Sequence, residues 1–431
     1  MSFEISTKYE RALLRPLVLP PNNRDATNEP VGLYNDSQWR ASTHIFLGTD
    51  DRDETAAWPP REFKDNPSNI PNDEAYNIPY DASTKKARNT TFKLYSDKES
   101  ARQASSVPPP KLVVKRYVPT NQANGSIKGI TLLTLTGMGV PKEMFEPMLQ
   151  DLLPSLRKSG VKVEEIWAID MPLSGKTAHV NPVGYLYANE KDIVRDLLLF
   201  TTAYLPVRPG EKLPKHLQLR RPTTQVRQPT RQNLHVFSHS LGAQASILAS
   251  VHAPNLFSSL MVVDPAMIPA GKINDSMTKL PKDIFCLGLE EHYPEQKAAE
   301  KALRENKRTR NWDERAIQAF VQHGVVPNDK GGVKLIAHPR LDWALWYDKQ
   351  TPAECYDRFK DISVPLLAIM PKRPFAVPAK IFEADVSNLK ERVDAKWVEG
   401  THQVVYEKMD NYVEFVVEWL GDIAGEKRAK L

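Results

Sequence analysis

Beyond about residue 107, apolar positions along the chain take two alternating forms: short continuous runs, and longer stretches at helical spacing. The runs are "KLVVKRYVP" (111–119), "GITLLTLTG" (129–137), "VEEIWAID" (163–170), "LHVFS" (234–238), "SLMVVD" (259–264) and "VPLLAIM" (364–370). Several are largely apolar and rich in β-branched residues, as in strands covered on both faces. Between them, "KEMFEPMLQDLLPSL" (142–156) and "EKDIVRDLLLFTTAYL" (190–205) carry apolar residues on one helical side. Strands alternating with helices predict an α/β protein with a mostly parallel central sheet and helices on both faces.

The pattern also divides the chain. Residues 1–107 are rich in Pro, Asn and Asp with weak periodicity, and read as an extended arm. Residues 108–266 and 361–425 carry the two parts of the α/β core. The intervening stretch, 267–360, shows no clear strand, but "EQKAAEKALRENKRTRNWDERAIQAFVQHG" is strongly helical, with Ile317, Phe320 and Val321 on one face. It predicts a helical lid inserted at the carboxyl edge of the sheet, where open α/β sheets place ligands. Residues 426–431 form a short basic tail.

Candidate chemistry begins at "NLHVFSHSLGAQAS" (233–246), where an apolar strand ends abruptly in Ser240 and a small-residue helix begins. A nucleophile elbow, G-x-S-x-G, needs small residues two before and two after the serine because the turn brings backbones together. Gly242 and Ala243 meet that need downstream, and Ser238 stands where the first glycine is usual. The competing reading is a serine that merely caps the helix. A serine hydroxyl needs a base, and the base an orienting acid. In α/β-hydrolase order both follow the serine, which selects His402, on a loop before the last amphipathic helix. Asp264, at the end of its strand before Pro265, is the expected acid, with Glu383 or Asp385 as alternatives. The backbone N–H groups of Leu241 and Met138 are the expected oxyanion donors, the latter in the Gly137–Gly139 turn of "TLTGMGVPKE". Trp343, Trp346 and Tyr347, in "LDWALWYD", either line an acyl pocket or form a packed aromatic core.

Composition narrows the field further. The chain carries a formal charge of +5, but residues 206–231 hold seven Lys/Arg against one Glu, so the remainder is near neutral. A basic stretch confined to one Pro-rich segment reads as a solvated loop, and no nucleic-acid partner is expected. No apolar run suggests a transmembrane segment, and "MSFEISTKYERALL" lacks the pattern of a secretory signal. Cys286 and Cys355 give neither a disulfide framework nor metal-ligand spacing, so no metal or cofactor is expected and a reducing compartment fits.

The order "TGMGVPKEMFEPML", "IWAIDMPLSGKTAHVN", "VFSHSLGAQASILASVHAPNLFSSLMVVDPAMIP", "NWDERAIQAFVQHGV" and "VEGTHQVVYEKMDNYVEFVVEWL" resembles the fungal peroxisomal α/β hydrolases, over about 110–425. That group includes toxin-biosynthesis hydrolases and is similar to the yeast peroxisomal lipase. The resemblance implies an α/β-hydrolase fold, an acid-proline pair at the position of Asp264-Pro265, and a place in peroxisomal lipid or toxin metabolism. Relatives usually have Gly at the position of Ser238, Glu at that of Asp264 and His at that of Thr136. The closing Ala429-Lys430-Leu431 is a variant of the S-K-L peroxisomal address, for reading by the import receptor. The expected location is the peroxisomal matrix, or the cytosol where the tripeptide is not read.

The leading expectation is therefore a serine hydrolase acting on a small-molecule ester or thioester, with Ser240, His402 and Asp264 as its triad. An acyltransferase on the same residues and a non-catalytic binding protein of the same fold are the alternatives.

Overall fold

A computed structural model describes residues 38–49, 56–57, 109–120, 129–181, 185–187, 189–220, 231–269, 289–337 and 350–429. Eight strands build the central sheet: β1 (Trp39–Leu47), β2 (Lys111–Pro119), β3 (Ile130–Leu135), β4 (Val163–Ile169), β5 (Leu234–His239), β6 (Ser259–Val263), β7 (Leu366–Pro371) and β8 (Val393–Val398). They lie in the order β1-β2-β4-β3-β5-β6-β7-β8. From β4 to β8 every neighbour is parallel, while β2 runs antiparallel to both β1 and β4. Each of β3 to β7 is buried along its whole length, which explains why most of them read as apolar runs, although β4 carries buried Glu164 and Glu165.

Helices cover both faces. Those described are α1 (Glu146–Lys158), α2 (Glu190–Leu199), α3 (Leu241–His252), α4 (Gln296–Glu305), α5 (Glu314–Gly324), α6 (Gln350–Arg358), α7 (Ala379–Ser387) and α8 (Met409–Ala429), besides shorter helical turns. One apolar cluster joins Val194 and Leu198 of α2, Ile247 and Leu248 of α3 and Phe382 of α7 to the sheet. The other joins Leu149 and Leu152 of α1, Phe320 of α5 and Tyr412 and Val416 of α8. The expected mostly parallel sheet is thus present, and no helix among the described residues is long and apolar enough to cross a membrane.

Three details differ from the sequence reading. Within the stretch read as an arm, β1 is a full partner of β2, paired from Trp39↔Pro119 to Leu47↔Lys111. As an edge strand its alternation is broken by half-buried Thr43 and buried His44, so period 2 is faint. Within the stretch read as strandless, His292–Tyr293, Val325–Pro327 and Val333–Leu335 form a small antiparallel sheet. Runs of two or three residues are too short to show a period.

The third concerns the basic segment. Arg231 is not solvated: its guanidinium is buried against Glu165, which also accepts from Arg116 Nε at 2.5 Å and Trp167 Nε1 at 2.9 Å. Burial alone would push the Glu165 carboxyl up, and the two guanidiniums hold it below its ordinary value. Arg231 also donates to the Pro206 carbonyl at 3.0 and 2.6 Å, so both ends of the basic segment are tied to the sheet.

Candidate active site

Ser240 stands between β5 and α3 with φ 54° and ψ −117°, a conformation that costs a non-glycine residue on the order of 1–3 kcal/mol and persists only where surroundings enforce it. The enforcement is visible. Ser240 N–H donates to Val263 O at 3.0 Å, and Ser240 O accepts from Gln244 and Ala266 N–H, each at 3.0 Å. Downstream, a Cβ on Gly242 would stand 2.5 Å from Leu135 O and 2.6 Å from Thr136 O. Only glycine fits where α3 begins so close to the end of β3. Upstream, the hydroxyl of Ser238 is fully buried and donates to Ser246 Oγ at 2.9 Å, Ser246 donating in turn to Ala243 O. A serine is therefore accommodated there because its polar atom has a partner.

Ser240 Oγ lies 2.9 Å from His402 Nε2, and His402 Nδ1 lies 2.7 Å from Asp264 Oδ2. Asp264 is fully buried at the end of β6, with φ 37°, and Oδ2 also accepts from Phe375 N–H at 3.0 Å. These contacts fix the carboxylate and require the hydrogen on His402 Nδ1, leaving Nε2 to accept from the serine. Neither alternative acid is in this chain of bonds: Asp385, on α7, accepts from Tyr356 at 2.8 Å, and Glu383 lies on the same helix. His402 sits on the loop between β8 and α8. Thr401 N–H and Oγ1 donate to Glu407 at 3.0 and 2.7 Å, and Asp313 N–H holds Tyr406 O at 2.8 Å.

Ser240 and His402 open into a cavity of about 250 Å³. Met138, Val140, Leu241, Ile268, Phe375 and Ala376 give it apolar walls, while Lys307, Arg308 and Asn311 add polar groups from between α4 and α5. Met138 and Leu241 thus line the same cavity as Ser240. Leu241 is the first residue of α3, where the N–H groups of a helix lack helical acceptors and carry the positive end of the helix dipole. Trp343, Trp346 and Tyr347 lie outside the described residues, as do Lys430 and Leu431.

Two groups of residues that matter here were not singled out from sequence. One is the clamp under the Gly137–Gly139 turn. Asp170 accepts from Lys142 N and Nζ, both at 2.8 Å, and from Lys176 N–H at 3.0 Å, while Ser174 Oγ accepts from Gly139 N–H at 3.1 Å. Lys142 is fully buried. Burial alone would pull its ammonium down, but Asp170 and Glu143 hold it above its ordinary value. Asp170 ends a parallel strand as Asp264 does, and that shared placement at the carboxyl edge was the available signal. The other is His239, whose Nε2 donates to the His402 carbonyl at 2.8 Å; its only signal is that it precedes Ser240.

No family model matches the chain. A type I acyl-CoA thioesterase of Penicillium roqueforti (strain FM164) is 26% identical over 216 residues, 49% of this chain and 44% of that protein. One of Penicillium brevicompactum is 25% identical over 217 residues, again 49% and 44%. The chain spans less than half the length of these relatives. Among solved structures, the peroxisomal alpha-beta-hydrolase Lpx1 of Saccharomyces cerevisiae superposes with a TM-score of 0.63 at 15% identity, covering 90% of each chain. At that identity the likeness is one of fold.

The close approach at Gly242 is directly measurable. Gly242→Ala forces a methyl group against two backbone carbonyls and should destabilise the fold by about 1–3 kcal/mol or more in denaturant unfolding. Gly421→Ala, in α8 with nothing within 4 Å of its new Cβ, is the control and should be neutral or slightly stabilising. Equal unfolding midpoints for the two variants would contradict the steric account.

Proposed function

We propose that this chain, which has the α/β-hydrolase fold, is a serine hydrolase that cleaves a carboxylic ester or thioester through Ser240, His402 and Asp264. One observation carries the reading: the unbroken relay from Ser240 Oγ to His402 to Asp264, at 2.9 and 2.7 Å, which opens into a largely apolar cavity. Ser240 Oγ attacks the substrate carbonyl as His402 Nε2 takes its proton. Asp264 stabilises the imidazolium and keeps its ring aligned. The negative charge on the carbonyl oxygen falls to the Leu241 and Met138 N–H groups. The tetrahedral intermediate collapses, His402 protonates the departing alcohol or thiol, and an acyl-serine remains. Water, deprotonated by His402, then attacks the acyl-serine, and the returning proton restores Ser240.

A thioester is the preferred substrate class. Two relatives are named acyl-CoA thioesterases; the cavity itself is lined by both signs of charge, Lys307 and Arg308 together with Glu190 and Glu407. The stretch between β6 and β7 is proposed to cap the site, since Lys307, Arg308 and Asn311 already line it. The proposed location is the peroxisomal matrix, supported by Ala429-Lys430-Leu431 and by the yeast fold neighbour being a peroxisomal hydrolase.

Ser240→Ala should lower turnover of an acyl-CoA or aryl ester by on the order of a million-fold, with an unchanged far-ultraviolet circular dichroism spectrum. Retained activity would move the nucleophile elsewhere. Asp264→Asn should cost roughly 10⁴-fold in kcat by leaving His402 in the wrong tautomer. Substitution of Asp385 or Glu383 should leave kcat near that of the unaltered protein, and a larger loss there would reassign the acid. Removing Ala429-Lys430-Leu431 from an N-terminally tagged protein should shift it from peroxisomes to the cytosol without altering activity in vitro. A full-length protein that stays cytosolic would refute the address.

A further inference from the structure

We propose that His239 is a positioning residue: its imidazole pins the His402 loop to the serine elbow by donating a hydrogen bond to the His402 main-chain carbonyl. The inference rests on the hydrolase reading above, because it assigns a task only where His402 must stay aligned with Ser240.

The contacts show how the pin works. His239 Nε2 lies 2.8 Å from His402 O. Since a carbonyl can only accept, the hydrogen resides on Nε2, and His239 is a neutral imidazole with a bare Nδ1. Burial, the neighbouring His402 and the charge of Arg308 all oppose a proton there, the His402 carbonyl opposing them in part. The ring is fully enclosed. It lies 4.8 Å from the His402 ring at 39°, and edge-on to Tyr406 at 5.5 Å and 83°. A neutral ring tolerates an imidazolium at that distance, whereas a second cation would oppose its formation.

His239 also touches the third part of the site. A Cβ on Gly137 would stand 2.9 Å from His239 Nδ1 and 3.2 Å from Ser240 Cβ, so glycine opens the oxyanion turn partly to admit this ring. One side chain thus contacts the segments that carry the base and the Met138 amide, from the position next to the nucleophile.

A main-chain pin has a particular use here. Both ring nitrogens of His402 are engaged by reacting or orienting groups, and its Nε2 must release Ser240 and turn to the leaving group in each cycle. Other ties of the loop, among them Thr401 to Glu407 and Asp313 to Tyr406, engage residues before and after His402. His239 holds residue 402 itself, through an atom that takes no part in proton transfer.

The test compares His239→Gln, His239→Asn and His239→Leu in the full chain. The side-chain amide of Gln reaches the place of Nε2, whereas that of Asn reaches only the place of Nδ1. Gln should therefore keep kcat within about tenfold, while Asn and Leu lose about 100-fold with KM little changed, the scale expected of an ångström's misplacement. Fluorophosphonate labelling of Ser240 should slow in the same order, and thermal melting identifies any variant that fails to fold. Should Leu not fold, the two amides decide. Equal kcat for Gln and Asn, or a loss confined to KM, would overturn the proposal. The two readings fail separately: an active Ser240→Ala would sink the hydrolase assignment, whereas an inactive Ser240→Ala beside a fully active His239→Asn would sink only the role of His239.

Discussion

The approach of the α3 backbone to the end of β3 is the constraint on which the site depends. Gly242 lies against the Leu135 and Thr136 carbonyls, and that contact forces the turn in which Ser240 adopts positive φ. The same turn lifts Oγ out of the sheet edge and sets the Leu241 N–H beside the loop after β3. Any side chain at 242 would separate the two segments, and Ser240 would lose both its pose at the cavity and the nearby backbone N–H groups. The energy for the unfavourable backbone at Ser240 comes from the fully buried strands around it, which are too well packed to relax.

Around this point, buried charges act as fasteners more than as net sources of stability. Asp170 ties Lys142, just after the Gly137–Gly139 turn, to the start of the helical turn at Lys176 and Thr177. Glu165 ties Arg116 of β2 and Arg231 before β5 to β4. Each carboxylate joins segments far apart in sequence with directional bonds that apolar packing cannot supply. Their multiple donors meet the demand that a buried ion be compensated.

The parts of this architecture legible in the sequence are those with a long or distinctive pattern. β3, β6 and β7 announced themselves as largely apolar runs because both sheet faces are covered. Ser240 was legible because a strand, a serine and a glycine occur at fixed spacing, and Asp264 because an acid closes the next strand before a proline. β1 was not legible, since half-buried Ser42 and Thr43 and buried His44 break its alternation and imitate a loop. Arg231 was misread because a charge carries no mark of its partner: Glu165 lies 66 residues away in sequence. His239 and Asp170 escaped for the same reason, since their significance lies in what they touch.

Ser240 and Asp264 end adjacent parallel strands joined by one helix, so a single short crossover brings them together. His402 is different: its bonds span 138 residues to Asp264 and 162 to Ser240. Contacts of long sequence separation close late, because loop entropy must be spent before they form. On a nascent or refolding chain, the strand-helix-strand unit with its serine and acid can therefore exist before any base is at hand. On the proposed hydrolase reading, reactivity is then conferred by the docking of the last quarter of the chain, and a partly folded protein holds an inert hydroxyl.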